Sequence, residues 1–192
     1  MERWLKARQD QVWRGKRVLD LERGWDGRAQ QKAKMRLVAS LVVGKSVLDI
    51  GCGTGDLYPY LKGVKYLGVD QSEDMLKRAK ARNPSAKFVS QNLYDMHLPK
   101  FDTVVALDLL HHQPDIEPGF STLMKNANKC VIFSIWINDR DRHHPRQHKG
   151  SRGEIITWYT EEELKKKFFN LKHEVHRRVG FSFKDVYRVW KG

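Results

Sequence analysis

The sequence predicts an α/β fold: a doubly wound, mostly parallel sheet with helices before it and an antiparallel hairpin at its end. From Ser46 onward, short apolar segments alternate with helical patterns of about 10 to 15 residues. A glycine-rich turn follows the first of these segments, and two adjacent strands close the chain. A length of 192 residues is that of one domain, and no repeat or linker divides it.

The elements follow in order from local patterns. Residues 1–42 are predicted to be helical, with a break near Gly24 and Gly27. Ser72 is placed to cap a later helix, and Thr160 with Glu163 forms a capping box. The strands are predicted at 47–50, 66–69, 87–90, 101–107, 130–136, 171–178 and 181–190, and the helices from the glycine turn to about 62, then at 72–82, 119–127 and 160–169.

The glycine-rich turn at 51–55 carries the strongest functional signal. It follows a short apolar strand and reads Gly-Cys-Gly-Thr-Gly, so that the backbone is able to turn sharply and approach a ligand closely. Asp70 ends the next predicted strand, where a carboxylate meets the hydroxyls of an adenosine ribose. A nicotinamide dinucleotide site is the alternative. It would favour G-x-G-x-x-G, and Asp56 directly after this turn would repel a pyrophosphate.

At these residues the chain resembles class I S-adenosylmethionine-dependent methyltransferases. Asp49 with 51–55 matches their first motif, 68–72 their second, and 101–112 their fourth-strand motif with its following loop. The resemblance implies a Rossmann-like, seven-stranded sheet and S-adenosylmethionine as cofactor. It also implies a single methyltransferase domain over 1–192, made of a helical lid (1–45), a cofactor-binding core (46–137) and an acceptor-side loop, helix and hairpin (138–192).

The resemblance further implies a set of cofactor contacts. Asn92 stands where the family usually has an acidic residue beside the adenine, and Arg28 precedes the first motif, where relatives reach the methionine end. The expected cofactor-binding residues are Asp49, Gly51, Cys52, Gly53, Gly55, Asp70, Gln71, Asn92, Leu93, Leu107 and Arg28.

His111 and His112 follow the fourth predicted strand and are candidate catalytic bases, since an unperturbed histidine titrates near neutrality. The alternative is that they pack over the cofactor or bound its pocket. His143, His144 and His148 lie among many cations without a cysteine pair, so we expect no metal site.

The net charge of +13 is divided unevenly along the chain. Residues 1–45 carry +7 and residues 138–192 carry +6, whereas 46–137 is neutral. Two basic flanks favour RNA, in particular tRNA, as the methyl acceptor. A small metabolite is the alternative, favoured by the compact size, and a cofactor-binding module without turnover is a remote one.

Two further features concern location. No apolar run approaches the roughly 18 residues that cross a bilayer, so no membrane contact is expected. Cys52 and Cys130 are too few for a disulfide framework, which favours a cytoplasmic protein with reduced thiols. The sequence does not indicate an oligomeric state.

Overall fold

The structure is a computed structural model, and it describes residues 29–113, 115–138, 147–150, 154–168, 171–177 and 184–192. The helices are α1 (Ala29–Leu41), α2 (Glu73–Arg82), α3 (Ile116–Asn126) and α4 (Glu161–Phe168). The strands are β1 (Ser46–Ile50), β2 (Lys65–Asp70), β3 (Lys87–Ser90), β4 (Phe101–Ala106), β5 (Ala127–Trp136), β6 (Gln147–Lys149), β7 (Ile155–Thr157), β8 (His173–His176) and β9 (Lys184–Trp190).

Seven strands form one sheet in the order β3-β2-β1-β4-β5-β9-β8. The first five are parallel, and β9 runs antiparallel to both β5 and β8. This arrangement confirms the predicted doubly wound sheet with its closing hairpin. The strand order reverses between β1 and β4, and open α/β sheets bind ligands outside the carboxyl ends of the strands at such a point.

The sheet is buried on both faces because alternate residues of its central strands enter two separate cores. Leu48 of β1 joins the core that holds Ile116 of α3 and Leu164 of α4. Its neighbour Val47 joins the core that holds Val38 of α1 and Leu76 of α2. The period of two along a strand therefore divides the helices between the faces.

Both predicted helix caps are present. The Ser72 hydroxyl accepts a hydrogen bond from the Met75 amide at 3.3 Å and begins α2. At α4, the Thr160 hydroxyl accepts from the Glu163 amide at 3.2 Å, while the Thr160 amide donates to the Glu163 carboxylate at 2.8 Å. Each pair satisfies amides that the first helical turn leaves without partners.

Two predictions about local structure were wrong. No α-helix follows the glycine turn, which continues into a single 3-10 turn at Tyr58–Tyr60. The three glycines of 51–55 all have positive φ, which right-handed helical geometry excludes, so the segment does not enter an α-helix. The loop predicted at 138–152 contains β6, which forms a two-stranded ribbon with β7 just after the loop; these strands of three residues are too short to give a pattern.

Candidate cofactor and acceptor site

A cavity of about 490 Å³ lies at the carboxyl ends of β1, β2 and β4, where the strand order reverses. Its volume is in the range of sites that bind small molecules and cofactors. The structure does not bring Gly55 and His111 to this cavity, and Arg28 lies outside the described residues. The other predicted site residues all line it: Asp49, Gly51, Cys52, Gly53, Asp70, Gln71, Asn92, Leu93, Leu107 and His112.

Two glycines of the turn have different surroundings. Gly53 has φ +53°, and a Cβ built there would meet no atom within 4 Å, so its missing side chain leaves open space in the cavity. Gly55 has φ +77°, and a Cβ there would lie 2.8 Å from Asn83 Nδ2 and 3.0 Å from the ring of Phe88. Gly53 therefore gives a ligand access to the backbone, whereas Gly55 lets the turn pack on its own protein.

Asp70 links the glycine turn to the end of β2. One carboxylate oxygen accepts the Gly53 amide and the other accepts the Ser72 amide, both at 2.9 Å. Burial raises the pKa of Asp70, and these backbone donors oppose the rise. The Gln71 amide is a third backbone donor to this carboxylate, which has about four acceptor sites and so retains capacity for a ligand hydroxyl. Such an acceptor fits a hydroxyl of a ribose.

Asp49 is the most deeply buried acid of the cavity wall, 3% exposed. Burial raises its pKa to about 7, although the Tyr66 hydroxyl donates a hydrogen bond to it at 2.8 Å. The carboxylates of Asp70 and Asp56 raise the pKa further by repulsion. A cationic ligand would lower the pKa of Asp49, because a positive charge nearby stabilises the ionised carboxylate.

Asn92 replaces an acid without leaving its position empty. Its Nδ2 donates to Oε1 of Gln71 at 3.0 Å, and its Oδ1 accepts the Tyr94 amide at 3.0 Å. The bond between Asn92 and Gln71 joins the loops after β2 and β3. The buried Leu93 adds apolar surface beside this bond. The pair Gln71–Asn92 thus builds the wall where the resemblance places the adenine.

The two histidines occupy different environments. His111 is 1% exposed, and its ring lies 4.3 Å from that of His112 and 5.4 Å from that of Trp136, measured between centroids. His112 lines the cavity, and its Nδ1 lies 2.8 Å from the backbone carbonyl of Ile155. A carbonyl only accepts, so Nδ1 carries a proton, and in the neutral ring Nε2 is the basic nitrogen.

The β6–β7 ribbon supports this side of the cavity. Ile155 fixes the ring of His112, and the Thr157 hydroxyl donates to the carbonyl of Gln113 at 2.9 Å. Gln113 in turn accepts a hydrogen bond of 2.6 Å from the hydroxyl of Tyr94. Tyr94 and Gln113 both line the cavity, so a polar bridge joins two of its loops.

No sequence pattern indicates the ion pair of Lys34 and Asp108 beside the cavity. Lys34 of α1 is 1% exposed, and its Nζ lies 2.6 Å from Oδ2 of Asp108. Asp108 has φ +53°, and its other carboxylate oxygen accepts the Ser134 hydroxyl at 2.9 Å. The pair attaches α1 to the end of β4, and Gln31 and Met35 of the same helix line the cavity.

Two absences apply to the part of the chain that the structure describes. No group of three or more histidines, cysteines or acids is arranged there to hold a metal ion, and His143 and His144 lie outside that part. No helix within the described ranges has the length and apolarity to span a bilayer.

The chain has relatives among known proteins. Residues 47–129 match the family model of a methyltransferase domain. The ubiquinone biosynthesis O-methyltransferase of Thiobacillus denitrificans is 34% identical over 118 residues, 49% of this chain and 51% of that protein. The enzyme of the same name from Idiomarina loihiensis is 30% identical over 134 residues, 54% of this chain and 55% of its own. The chain thus spans about half the length of these curated relatives.

Solved structures share the fold over nearly the whole chain. A complex of DhpI with SAH has a TM-score of 0.76 at 17% identity and covers 98% of this chain and 97% of its own. Magnesium protoporphyrin IX methyltransferase from Synechocystis PCC 6803 with bound SAH has a TM-score of 0.71 at 18% identity, covering 98% and 100%. The methyltransferase-domain match over residues 47–129, the glycine turn with its acid on β2 and the sheet order all support a class I S-adenosylmethionine-dependent methyltransferase.

Proposed function

We propose that this protein transfers a methyl group from S-adenosylmethionine to a hydroxyl of a small-molecule acceptor. The cavity at the point where the strand order reverses carries this proposal. The glycine turn, Asp70 and His112 all line it. S-adenosylmethionine supplies an electrophilic methyl group on its sulfonium. Because displacement at that methyl is in line, positioning of the acceptor provides much of the rate.

The cofactor side of the cavity suits a nucleoside joined to a cationic chain. Asp70 retains acceptor capacity for a ribose hydroxyl, and the open space at Gly53 admits a ligand against the backbone. Asp49 and Asp56 also line the cavity, and their charge favours an ammonium and a sulfonium. These residues bind and orient a ligand without taking part in bond making.

His112 is the candidate base on the acceptor side. Its Nδ1 donates to the Ile155 carbonyl, which holds the ring in one orientation and leaves Nε2 to take the proton of an acceptor hydroxyl. His111 packs beneath it, against Trp136, and has a structural role in this proposal. The two interpretations of the histidines, base and packing, thus apply to different residues.

The charge of the cavity favours a small acceptor over RNA. Six aspartates line it: Asp49, Asp56, Asp70, Asp95, Asp108 and Asp115. None of its described lining residues is a lysine or arginine, although Arg82 pairs with Asp56 and Lys34 with Asp108 from outside the lining. A phosphodiester backbone would meet like charge at this entrance. The curated relatives named as ubiquinone biosynthesis O-methyltransferases also support a small acceptor with a hydroxyl group. The RNA acceptor that the basic flanks suggested is therefore the weaker candidate.

The location has indirect support from the cysteines. Cys52 and Cys130 are both free and buried, as thiols are in a reducing compartment. We propose on this basis that the protein works in the cytoplasm.

The test compares two adjacent histidines with a panel of phenols and catechols as acceptors. His112→Ala should lower turnover by about 10²–10⁴ with cofactor affinity nearly unchanged, and the pH–rate profile should lose the limb that reports the base. His111→Ala should lower the melting temperature and keep that limb. Equal turnover in wild type and His112→Ala would remove the base from the proposal, and no methylation of any small acceptor would overturn the proposed function.

A further inference from the structure

A lysine stands at the same edge of the sheet at every one of its seven strands. In β1, β2, β3, β4 and β8 the lysine is the first residue of the strand or the residue just before it. In β5 it lies two residues inside the strand. In β9, which runs in the opposite direction, it follows the last residue. We call this set the lysine row. In spatial order from β3 to β8 it consists of Lys87, Lys65, Lys45, Lys100, Lys129, Lys191 and Lys172.

The backbone ladder keeps members of the row side by side. The Lys65 amide donates to the Lys45 carbonyl at 2.8 Å, and the Lys191 amide donates to the Lys129 carbonyl at 2.8 Å. Six strand-to-strand steps of about 4.8 Å make the row about 29 Å long. All members except Lys191, which is partly buried, are exposed.

Among the residues that the structure describes, few acids balance the row. Asp102 lies 3.5 Å from Lys129, and Glu174, one residue inside β8, is paired with Arg188 at 2.8 Å. Lys191 donates to the carbonyls of Met124 and Ala127, and its pKa is lowered by burial and by repulsion from Lys100. Like charges therefore lie together here, a state that a bound anion would relieve.

The row lies at the amino ends of the parallel strands, and the cavity lies at their carboxyl ends. A strand of six residues places these two edges about 20 Å apart. One edge is rich in lysine and the other in aspartate, so an anion at the row would be separate from any ligand in the cavity.

We propose that the lysine row binds the phosphodiester backbone of single-stranded RNA, at a surface distinct from the methyl-transfer cavity. A nucleic acid strand is a linear polyanion, and a basic surface that tracks the backbone binds it without reading its sequence. An anionic membrane is the less suited partner. Tyr94 is the exposed large apolar side chain among the described residues, and it lies at the cavity. Trp190, at the row, is only partly exposed and its ring lies 5.1 Å from Lys172 Nζ, so the described part of the row presents no exposed apolar anchor.

The test measures binding of a labelled oligouridine of about twelve nucleotides by fluorescence anisotropy over a range of salt concentrations. The row variant carries Lys45→Gln, Lys65→Gln and Lys100→Gln. A control variant with Lys32→Gln, Arg36→Gln and Lys77→Gln loses the same charge from exposed positions on α1 and α2.

The row variant should bind at least tenfold more weakly at low salt. Its log–log salt slope should be smaller by about 2 units, since each lost contact with a single strand removes about 0.7. The control variant should bind like wild type, and all three proteins should bind S-adenosylmethionine equally in calorimetry. Equal loss in both variants would reduce the effect to net charge and overturn the proposal. The proposal would also be overturned if the wild-type protein bound phosphatidylserine vesicles and did not bind the oligonucleotide.

Discussion

Gly53→Ala tests whether the cofactor fills the space beside the glycine turn, apart from the backbone strain that a side chain causes at this position. The new methyl group meets no atom within 4 Å in the free protein, so the fold bears only the cost of a side chain at φ +53°. That cost is about 1–2 kcal/mol of the free energy of unfolding. The methyl group does, however, enter space that the cofactor would fill, and overpacking costs about 1–3 kcal/mol. Affinity for S-adenosylmethionine should therefore fall by about tenfold to a hundredfold.

Gly55→Ala is the matched control, because it adds the same methyl group two residues away. Its Cβ would lie 2.8 Å from Asn83 Nδ2 and 3.0 Å from Phe88, at φ +77°. Strain and collision together should lower the free energy of unfolding by about 2–5 kcal/mol. Because Gly55 does not line the cavity, the folded fraction should bind the cofactor within about threefold of wild type.

Calorimetric titration with S-adenosylmethionine measures the affinities, and urea unfolding measures the stabilities. We expect Gly53→Ala to have the lower affinity for the cofactor and Gly55→Ala to have the lower free energy of unfolding. If Gly53→Ala binds the cofactor like wild type, the ligand does not approach the turn at this residue. If folded Gly55→Ala loses as much affinity as Gly53→Ala, the two glycines share one role and the distinction drawn from their surroundings is wrong.

Three further predictions concern the charged residues around the cavity. Lys34→Met should destabilise the fold by about 3–5 kcal/mol in urea unfolding, since it leaves the Asp108 carboxylate without its buried cation; adding Asp108→Asn should restore part of the loss, and failure to do so would refute the pairing. The pKa of Asp49 is higher in the folded protein, so the free energy of unfolding should fall as pH rises from about 4 to about 7. Asp49→Asn should flatten this dependence. An unchanged profile would contradict the raised pKa of this carboxyl group. Asp70→Asn should weaken cofactor binding at least tenfold, because a charge-assisted bond contributes about 1.5–3 kcal/mol, while circular dichroism stays that of wild type; tight binding would remove Asp70 from the site.

Local patterns predicted most of the fold because they are governed by nearby residues. The strand around Val47 and Leu48 is a continuous apolar run, as a strand buried on both faces requires. The Thr160 cap depends on a partner three residues away. The missing helix after the glycine turn has a different cause: its apolar pattern was compatible with a helix, but the positive φ angles of the glycines were not.

The site was predictable where a motif carries it and not where tertiary contacts do. Gly53 and Asp70 stand in a recognised spacing, and the structure joins them by a hydrogen bond of 2.9 Å. Lys34 and Asp108 are 74 residues apart, and no pattern in either segment indicates that they meet. The same holds for His112, whose orientation depends on the carbonyl of Ile155 in an unpredicted ribbon.

The central claim is that the acceptor is a small molecule methylated at this cavity. The most direct measurement incubates the protein and S-adenosylmethionine tritiated in its methyl group with total RNA, and separately with a protein-free metabolite extract. Gly53→Val, whose branched side chain fills the cofactor space, serves as the inactive control. We expect label in the metabolite fraction with wild type and none with the control. Label in RNA alone would contradict the claim.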